Sequence, residues 1–465
     1  MVGRVRKSLL FVGALLGAAT AHAVPVIPGG VGFGMSTPAG RGGTVYRVTN
    51  VNASGAGSLK ACIDATGPRT CIFEVSGVIN LTTELTVRND KLTIAGQTAP
   101  SPGIMIRGAA MKIHASDVLV QHLRFRVGDA TTGPSPANRD AFKIEGTTDH
   151  PVQNIVVDHC SFSWSIDEIA SVWGPHDNIS FTNNIFSEPL HDSIHPTDDG
   201  TGTEPHGYGV LLGSTDKGGR VTMTGNLFAH IVERNPLSRT RQLVFVNNLI
   251  YDRVNMDVDL QSQDGRVTQN TVVGNQFIKG PNYSRTTRPI YVRTNGPNPV
   301  LVGSGVYLSS NYAPDTGSSL SAIFGLSGKD YTPTLVATKL TAWNSGLKVL
   351  KTTDGTLYNS VLKNAGARPG DRDSVDKRIV NDVKNRGGYI INCVSTNGTA
   401  RCKKSAGGWP WYGQHRRALT LPANQATITS SGYSNLEKWL HQMGEQVSGT
   451  TLAQSPAAPQ SISVN

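Results

Sequence analysis

The sequence predicts an all-β chain wound as a right-handed parallel β-helix, with a capping helix at its N-terminal end and a helical extension folded back on the coils. Three observations carry this expectation. The segments "IVVDHCSFSW", "ISFTNNIFSE", "VTMTGNLFAH", "LVFVNNLIYD" and "RVTQNTVVGN" repeat one strand-like pattern of β-branched and aromatic residues. Aligning their fifth or sixth positions superposes His159, Asn184, Asn226, Asn248 and Asn270, at intervals of 25, 42, 22 and 22 residues. A period of 22 is too short for a helical pair and suits one coil of a parallel β-solenoid, the 42-residue step being a coil with a long insertion. The recurring asparagines are the third sign, because a polar side chain at one turn of successive coils can hydrogen-bond along a ladder and satisfy turn backbone that would otherwise be buried unpaired.

The elements follow in chain order. "MVGRVRKSLLFVGALLGAATAHA" has a basic start, a short apolar run and an Ala21-His22-Ala23 ending, which reads as a secretory signal peptide over residues 1–23. Its apolar run is too short for a permanent span, and no later stretch reaches the roughly 18 apolar residues that one needs. An exported, soluble monomer is expected. Residues 24–345 form the coil domain. "TVYRVTN" and "CIFEVSGVINL" read as strands, and "SGAGSLKACIDATG" between them reads as a short helix with Ser58 as N-cap, covering the open end of the solenoid. "KLTIAGQTAP" and "VLVQHLRFRV" extend the series, with Gly96 and His122 spaced 26 apart. In the extension, residues 346–445, "DRDSVDKRIVNDVKN" places Val375, Ile379 and Val383 at i, i+4 and i+8 of an amphipathic helix, and "SNLEKWLHQMG" reads as another. The Pro- and Ser-rich tail, 446–465, reads as disordered.

Five cysteines suit an oxidising compartment. Cys62 and Cys71 flank one short loop and Cys393 and Cys402 another, which gives two local pairings, Cys62–Cys71 and Cys393–Cys402; Cys160 remains as a small core residue. The net charge of +10 favours an anionic partner. Basic residues are scattered and aromatics few, which disfavours nucleic acid, so an acidic polysaccharide is the expected partner.

In a β-helix the strands give a rigid rod and the turns carry function. Three charged clusters fall in turns: "NRDAFKIEG" with Asp140, "VVDHCSFSWSIDEIASVW" with Asp158, Asp167 and Glu168, and "HIVERNPLSRTR" with Arg234 and Arg239. With the coils stacked, the three are expected to share one groove.

In this order, "VVDHCSFS", "DEIASVWGPHDNISFTNN", "HGYGVLLG" and "RNPLSR" resemble the pectate lyase family, the first family of polysaccharide lyases, over roughly residues 28 to 275. Its members carry a D-H element, D-x-x-x-D, H-x-K-x-x-L-x-G and R-x-P-x-x-R. "RPGDRDSVDKRIV" and "GYSNLEKWL" resemble the C-terminal part of its bacterial secreted members. The resemblance implies a secreted enzyme that cleaves a polyuronate, pectate above all, by β-elimination. It implies that Arg234 removes the C5 proton, that Arg239 binds a substrate carboxylate with His206 and Tyr208 beside the chain, and that Asp158, Asp167 and Asp140 hold Ca²⁺. Two positions depart from the pattern. Ser171 stands where D-x-x-x-D has its second acid, and Tyr208 where H-x-K has its lysine.

The chemistry is consistent with these residue types. Removing a proton alpha to a carboxylate requires that the carboxylate charge be neutralised, which a hard cation on Asp oxygens can do. Arginine is an awkward base because its pKa exceeds about 12, and positive charge from Arg239, Arg241 and a metal would lower it. Against these roles, Arg234 and Arg239 could be a structural ion-pair turn with Glu233, and Asp158 a turn-capping carboxylate. The insertion "PLHDSIHPTDDGTGTEPHGYG" carries His191, His195 and His206 among four acids, in no structural zinc spacing; a wall of the substrate groove is the favoured reading over a metal site. Two other classes stay open: a β-helical hydrolase of the polygalacturonase type, for which Asp198 and Asp199 are the adjacent acid pair, and a non-catalytic polyanion-binding β-helix.

Overall fold

A computed structural model describes residues 24–213, 218–263, 265–283, 288–326, 334–335, 339–340, 346–396 and 402–449. Residues 1–23, expected from the sequence to be a signal peptide, lie outside them, as does the tail from 450 onward. Strands stack into three all-parallel sheets of eleven, nine and eight strands among the described residues, and the central coils contribute one strand to each sheet. This is a parallel β-helix.

Like residues stack on like. Phe125, Phe162, Phe186 and Phe228 pair in register along the eight-strand sheet, and their rings stack at 5.1 Å, close to the spacing of neighbouring strands. The asparagine ladder exists, with two members other than those expected. Asn184, Asn226, Asn248, Asn275 and Asn311 each accept through Oδ1 from the backbone N–H one coil below, beginning with Cys160. Asn270 aligns instead with Leu243 inside a strand, because the coil between Asn248 and Asn275 is 27 residues long. His159 aligns with Asn183, at the left-handed turn position that precedes the ladder and that His122 and Asn247 also occupy.

The five helices among the described residues are α1 (Leu59–Asp64), α2 (Leu320–Ile323), α3 (Thr356–Asn364), α4 (Ser374–Asn385) and α5 (Asn435–Ser448). Ser58 caps α1 by accepting from the Ala61 N–H, and Leu59, Cys62 and Ile63 are buried at the N-terminal end of the solenoid. Buried Arg69 donates to the Cys62 and Ile63 carbonyls that the helix end leaves free. Both disulfides, Cys62–Cys71 and Cys393–Cys402, are formed, and Cys160 is a buried free thiol.

In α4, Val375, Ile379 and Val383 are the buried stripe and pack with α3 against Ile185, Leu227 and Leu249 of the coils. Asp373 and Asp376 at its start meet the buried guanidinium of Arg126 at 2.6 and 2.8 Å. α5 lays Leu436 and Leu440 on Ile72 and Ala95 of the eleven-strand sheet, starts with a Ser434–Glu437 capping box, and runs to Ser448, past the expected boundary at 445. No helix among the described residues is long and apolar enough to cross a membrane.

Candidate active-site groove

The nine-strand sheet carries the cluster. Phe142–Glu145 pairs with Glu168–Trp173, which pairs with Tyr208–Leu212. The register sets Phe142 beside Ala170 and Glu168 beside Tyr208, so Asp140, Glu168 and Tyr208 start successive coils one above another, and Glu233 bridges to Tyr208 from the next. The Arg234 backbone, at a left-handed φ of 67°, docks its carbonyl on the Val210 N–H at 2.6 Å. That approach requires Gly209, where a Cβ would lie 2.3 Å from the same carbonyl oxygen.

Asp140, Asp167 and Glu168 offer carboxylate oxygens within 4.8 Å of one another. They line a cavity of about 320 Å³ together with Lys143, Ser171, Trp173 and Leu211. Asp140 and Glu168 are buried, and the Ser171 hydroxyl donates to Asp140. Burial, then the charge of Glu168, pushes the Asp140 carboxyl well above the usual carboxylate range. Burial and the charge of Asp167 push Glu168 up to about 7. Burial likewise raises Asp167. Three carboxylates crowded this closely require added positive charge to ionise together. A hard divalent cation fits a set of three oxygen donors.

Arg234 supplies part of that charge through a close ion pair with Glu168, and its guanidinium lies 4.0 Å from the Tyr208 ring centroid. Arg239 donates to the neutral amide oxygens of Gln261 and Gln263 at 2.9 and 3.4 Å, which leaves its charge unspent on any carboxylate it touches. Burial and the neighbouring Arg234 hold it below the ordinary arginine range. Arg241 is exposed. His206 brings Nε2 to 3.0 Å from Asp167 and its ring to 3.9 Å from Tyr208. Burial and the adjacent His195 push its pKa down to about 3.

The structure therefore brings together Asp140, Asp167, His206, Tyr208, Arg234 and Arg239. It does not bring Asp158 to them. Asp158 ends a strand of the eleven-strand sheet, facing α5, in a second cavity of about 300 Å³ with His122, His159 and His441. Its oxygens receive Gln121 at 2.9 Å, Thr182 at 2.7 Å and His159 at 2.8 Å. Burial opposes its ionisation, but the charge and hydrogen bond of His159 outweigh this and hold the carboxyl below its usual range. Asp158 is a satisfied structural carboxylate, and its reading as a cation ligand of the groove is corrected.

Two groove residues had no assigned role in the sequence reading. Glu168 was part of an acidic cluster, yet it is the group that touches both Arg234 and the other acids. Lys143 lines the cavity on the trio's side, its ammonium 3.1 Å from Glu84. The signal for Glu168 was its coil register with Asp140, legible only once strand pairing is known. Asp198 and Asp199 are exposed on the inserted loop, where Asp199 caps Thr197 and Thr201. They form no enclosed acid pair.

No family model matches the sequence. A protein of Aspergillus fumigatus described as probable pectate lyase C is 30% identical over 436 residues, 90% of this chain and 94% of its own. Its counterpart from Aspergillus terreus is 32% identical over 437 residues with the same coverage. These relatives are fungal, so they do not support the bacterial kinship expected from the C-terminal motifs. A solved structure described as a pectate lyase bound to hexasaccharide aligns with a TM-score of 0.47 at 15% identity, over 76% of this chain and 100% of that chain.

Proposed function

The chain belongs to the pectate lyase family, and from that premise we propose how its groove performs the family's β-elimination on pectate. Arg234 takes the proton from C5 of a uronate. The C5–H electron pair becomes the C4=C5 double bond, the C4–O bond breaks, and the departing oxygen stays on C1 of the neighbouring sugar, where it takes a proton from solvent and becomes the hydroxyl of the new reducing end. Arg239 clamps a substrate carboxylate through the guanidinium face not spent on Gln261 and Gln263. Tyr208 and His206 form the adjoining wall. Asp140, Asp167 and Glu168 hold Ca²⁺, which when bound neutralises the uronate carboxylate and so acidifies C5. Glu168 takes the place of the acid that Ser171 lacks. Ser171 instead orients Asp140 by hydrogen bond. The enzyme acts as a secreted monomer.

The observation that carries this reading is the meeting of an arginine pair with three clustered carboxylates beside the middle strands of the nine-strand sheet. Neutral arginine is the competent base.

Incubation with polygalacturonate, with Ca²⁺ or with chelator, tests the mechanism through the ultraviolet absorbance of the unsaturated product. Growth of absorbance that chelator abolishes is expected. Arg234→Ala should lower the rate by about 10² to 10⁴-fold, the range for loss of a proton-transfer group. Full activity in that variant would remove Arg234 as the base.

A further inference from the structure

The lyase chemistry gives His206 a place in the groove wall and leaves its contact with His195 and Asp167 unexplained. His195 and His206 lie near the two ends of the excursion in the 42-residue coil, and their rings stack at 3.8 Å between centroids. Both present Nε2 to one oxygen, Asp167 Oδ1, at 4.0 Å from His195 and 3.0 Å from His206. We propose that Asp167, His195 and His206 form a second cation site, which takes a borderline first-row divalent cation of the Zn²⁺ class and ties the excursion to the groove floor.

Four features support it. First, adjacent donors of a tetrahedral zinc site with bonds of about 2.0–2.1 Å stand about 3.3 Å apart, and the two nitrogen–oxygen distances bracket that value. Second, these nitrogens lack better partners: His206 Nε2 is buried and makes no aligned hydrogen bond despite its 3.0 Å approach, and His206 Nδ1 is likewise unpartnered. A buried polar atom left unpaired costs about 1–3 kcal/mol, which a bound cation removes. Third, the Glu204 carboxylate lies 3.5 Å from His195 Nδ1, too far for a hydrogen bond yet close enough to add negative charge beside the imidazole. Fourth, two imidazoles and a carboxylate make a softer donor set than three carboxylates, so the site selects a different ion from the neighbouring trio. The parallel rings must splay to aim both lone pairs at one point, a rotation within the broad χ2 range of histidine.

The other mixed cluster, His122, Asp158 and His159, lacks this character. Its carboxylate already receives Gln121, Thr182 and His159. Asp167 belongs to both groove sets, so their remaining members distinguish them.

The site shares Asp167 and His206 with the lyase groove, and its test reads metal binding, so that its failure is distinct from failure of the lyase reading. Metal-stripped full-length protein is titrated with Co²⁺, as a spectroscopic stand-in for Zn²⁺, in excess Ca²⁺, following ligand-field absorption and calorimetric stoichiometry. One equivalent is expected in the wild type and in Asp140→Asn. His195→Gln and His206→Gln, each checked for native circular dichroism, should bind at least 100-fold more weakly. Absence of saturable Co²⁺ binding overturns the proposal, and so does binding that survives both histidine substitutions. Should a variant misfold, anomalous scattering from wild-type crystals soaked in Zn²⁺ decides: an ion between Asp167, His195 and His206 supports the site, and an ion elsewhere or none overturns it.

Discussion

At the scale of single residues, the groove and the joint behind it solve opposite electrostatic problems. In the groove, negative charge is in excess: burial holds Asp140, Asp167 and Glu168 back from ionisation until positive charge arrives. Behind the coils, a positive charge is held by acids. His230 is fully buried, with Nδ1 at 2.6 Å from Asp252 and Nε2 at 3.5 Å from Asp382 of α4, while Glu188 adds its charge from the same turn series and the Tyr251 ring packs edge-on. Burial disfavours the imidazolium, but the two aspartates outweigh it and raise the pKa from 6.5 to about 9. The native state thus binds a proton that the unfolded chain releases. Its contribution, a few kcal/mol by linkage, is fully present below pH 6.5 and is lost as pH rises through 9. Thermal unfolding should show a falling midpoint across that window, and His230→Gln should flatten the fall. An unchanged slope in that variant would assign the alkaline loss to other groups.

At the scale of elements, two polar assemblies decide which strands and helices sit together. In the ladder, Asn248 donates to the Met223 carbonyl at 3.0 Å and to Asn275 at 3.1 Å, while it accepts from the Asn226 backbone. Asn248→Ala orphans groups on three coils and should cost about 2 kcal/mol or more, read as a lower denaturation midpoint. The second assembly fastens α4. Arg126 pairs with both Asp373 and Asp376, and the Ser161 hydroxyl donates to Asp376 at 2.8 Å. Arg126→Ala removes the closest partner of both buried carboxylates and leaves them to Arg124, at 3.5 Å from Asp373 and 3.2 Å from Asp376, at a cost of about 3 kcal/mol. Early proteolysis within residues 346–385 is the expected signature, because the extension should detach before the coils unfold. α4 was legible as an amphipathic stretch, as was α5 on the neighbouring sheet, whereas α3 beside α4 was not foreseen. The buried ionic fastening of α4 was not legible either, because Arg126 and Asp376 are 250 residues apart and nothing local pairs them.

Over the whole molecule the net charge is +10, of which Arg4, Arg6 and Lys7 of the expected signal peptide supply three, and the acidic groove floor has Arg234, Arg239 and Lys143 near it. Long-range attraction steers a polyanionic chain toward this surface, and salt screens it over about 8–10 Å. The value of kcat/KM on polygalacturonate should therefore fall severalfold between low and physiological ionic strength at fixed Ca²⁺, with kcat nearly constant. A salt-independent kcat/KM would mean that the net charge plays no part in capture.

The sequence by itself determined the repeat, and with it the solenoid, because a 22-residue period of apolar strands and asparagines has few other ways to bury itself. It also determined the disulfide pairs, the capping helix, and the buried stripe of α4, all of which depend on contacts close along the chain. What it left to the tertiary structure was which turn of each coil faces which way. Asp158 follows Asp140 by 18 residues and lands on another face, whereas Glu168 follows by 28, one full coil, and stacks on it. Coil length varies with every insertion, so the phase of a carboxylate around the solenoid is fixed only by strand register. That register placed Asp158 under α5, set Glu168 against Arg234, and folded His195 and His206 of the inserted loop onto Asp167.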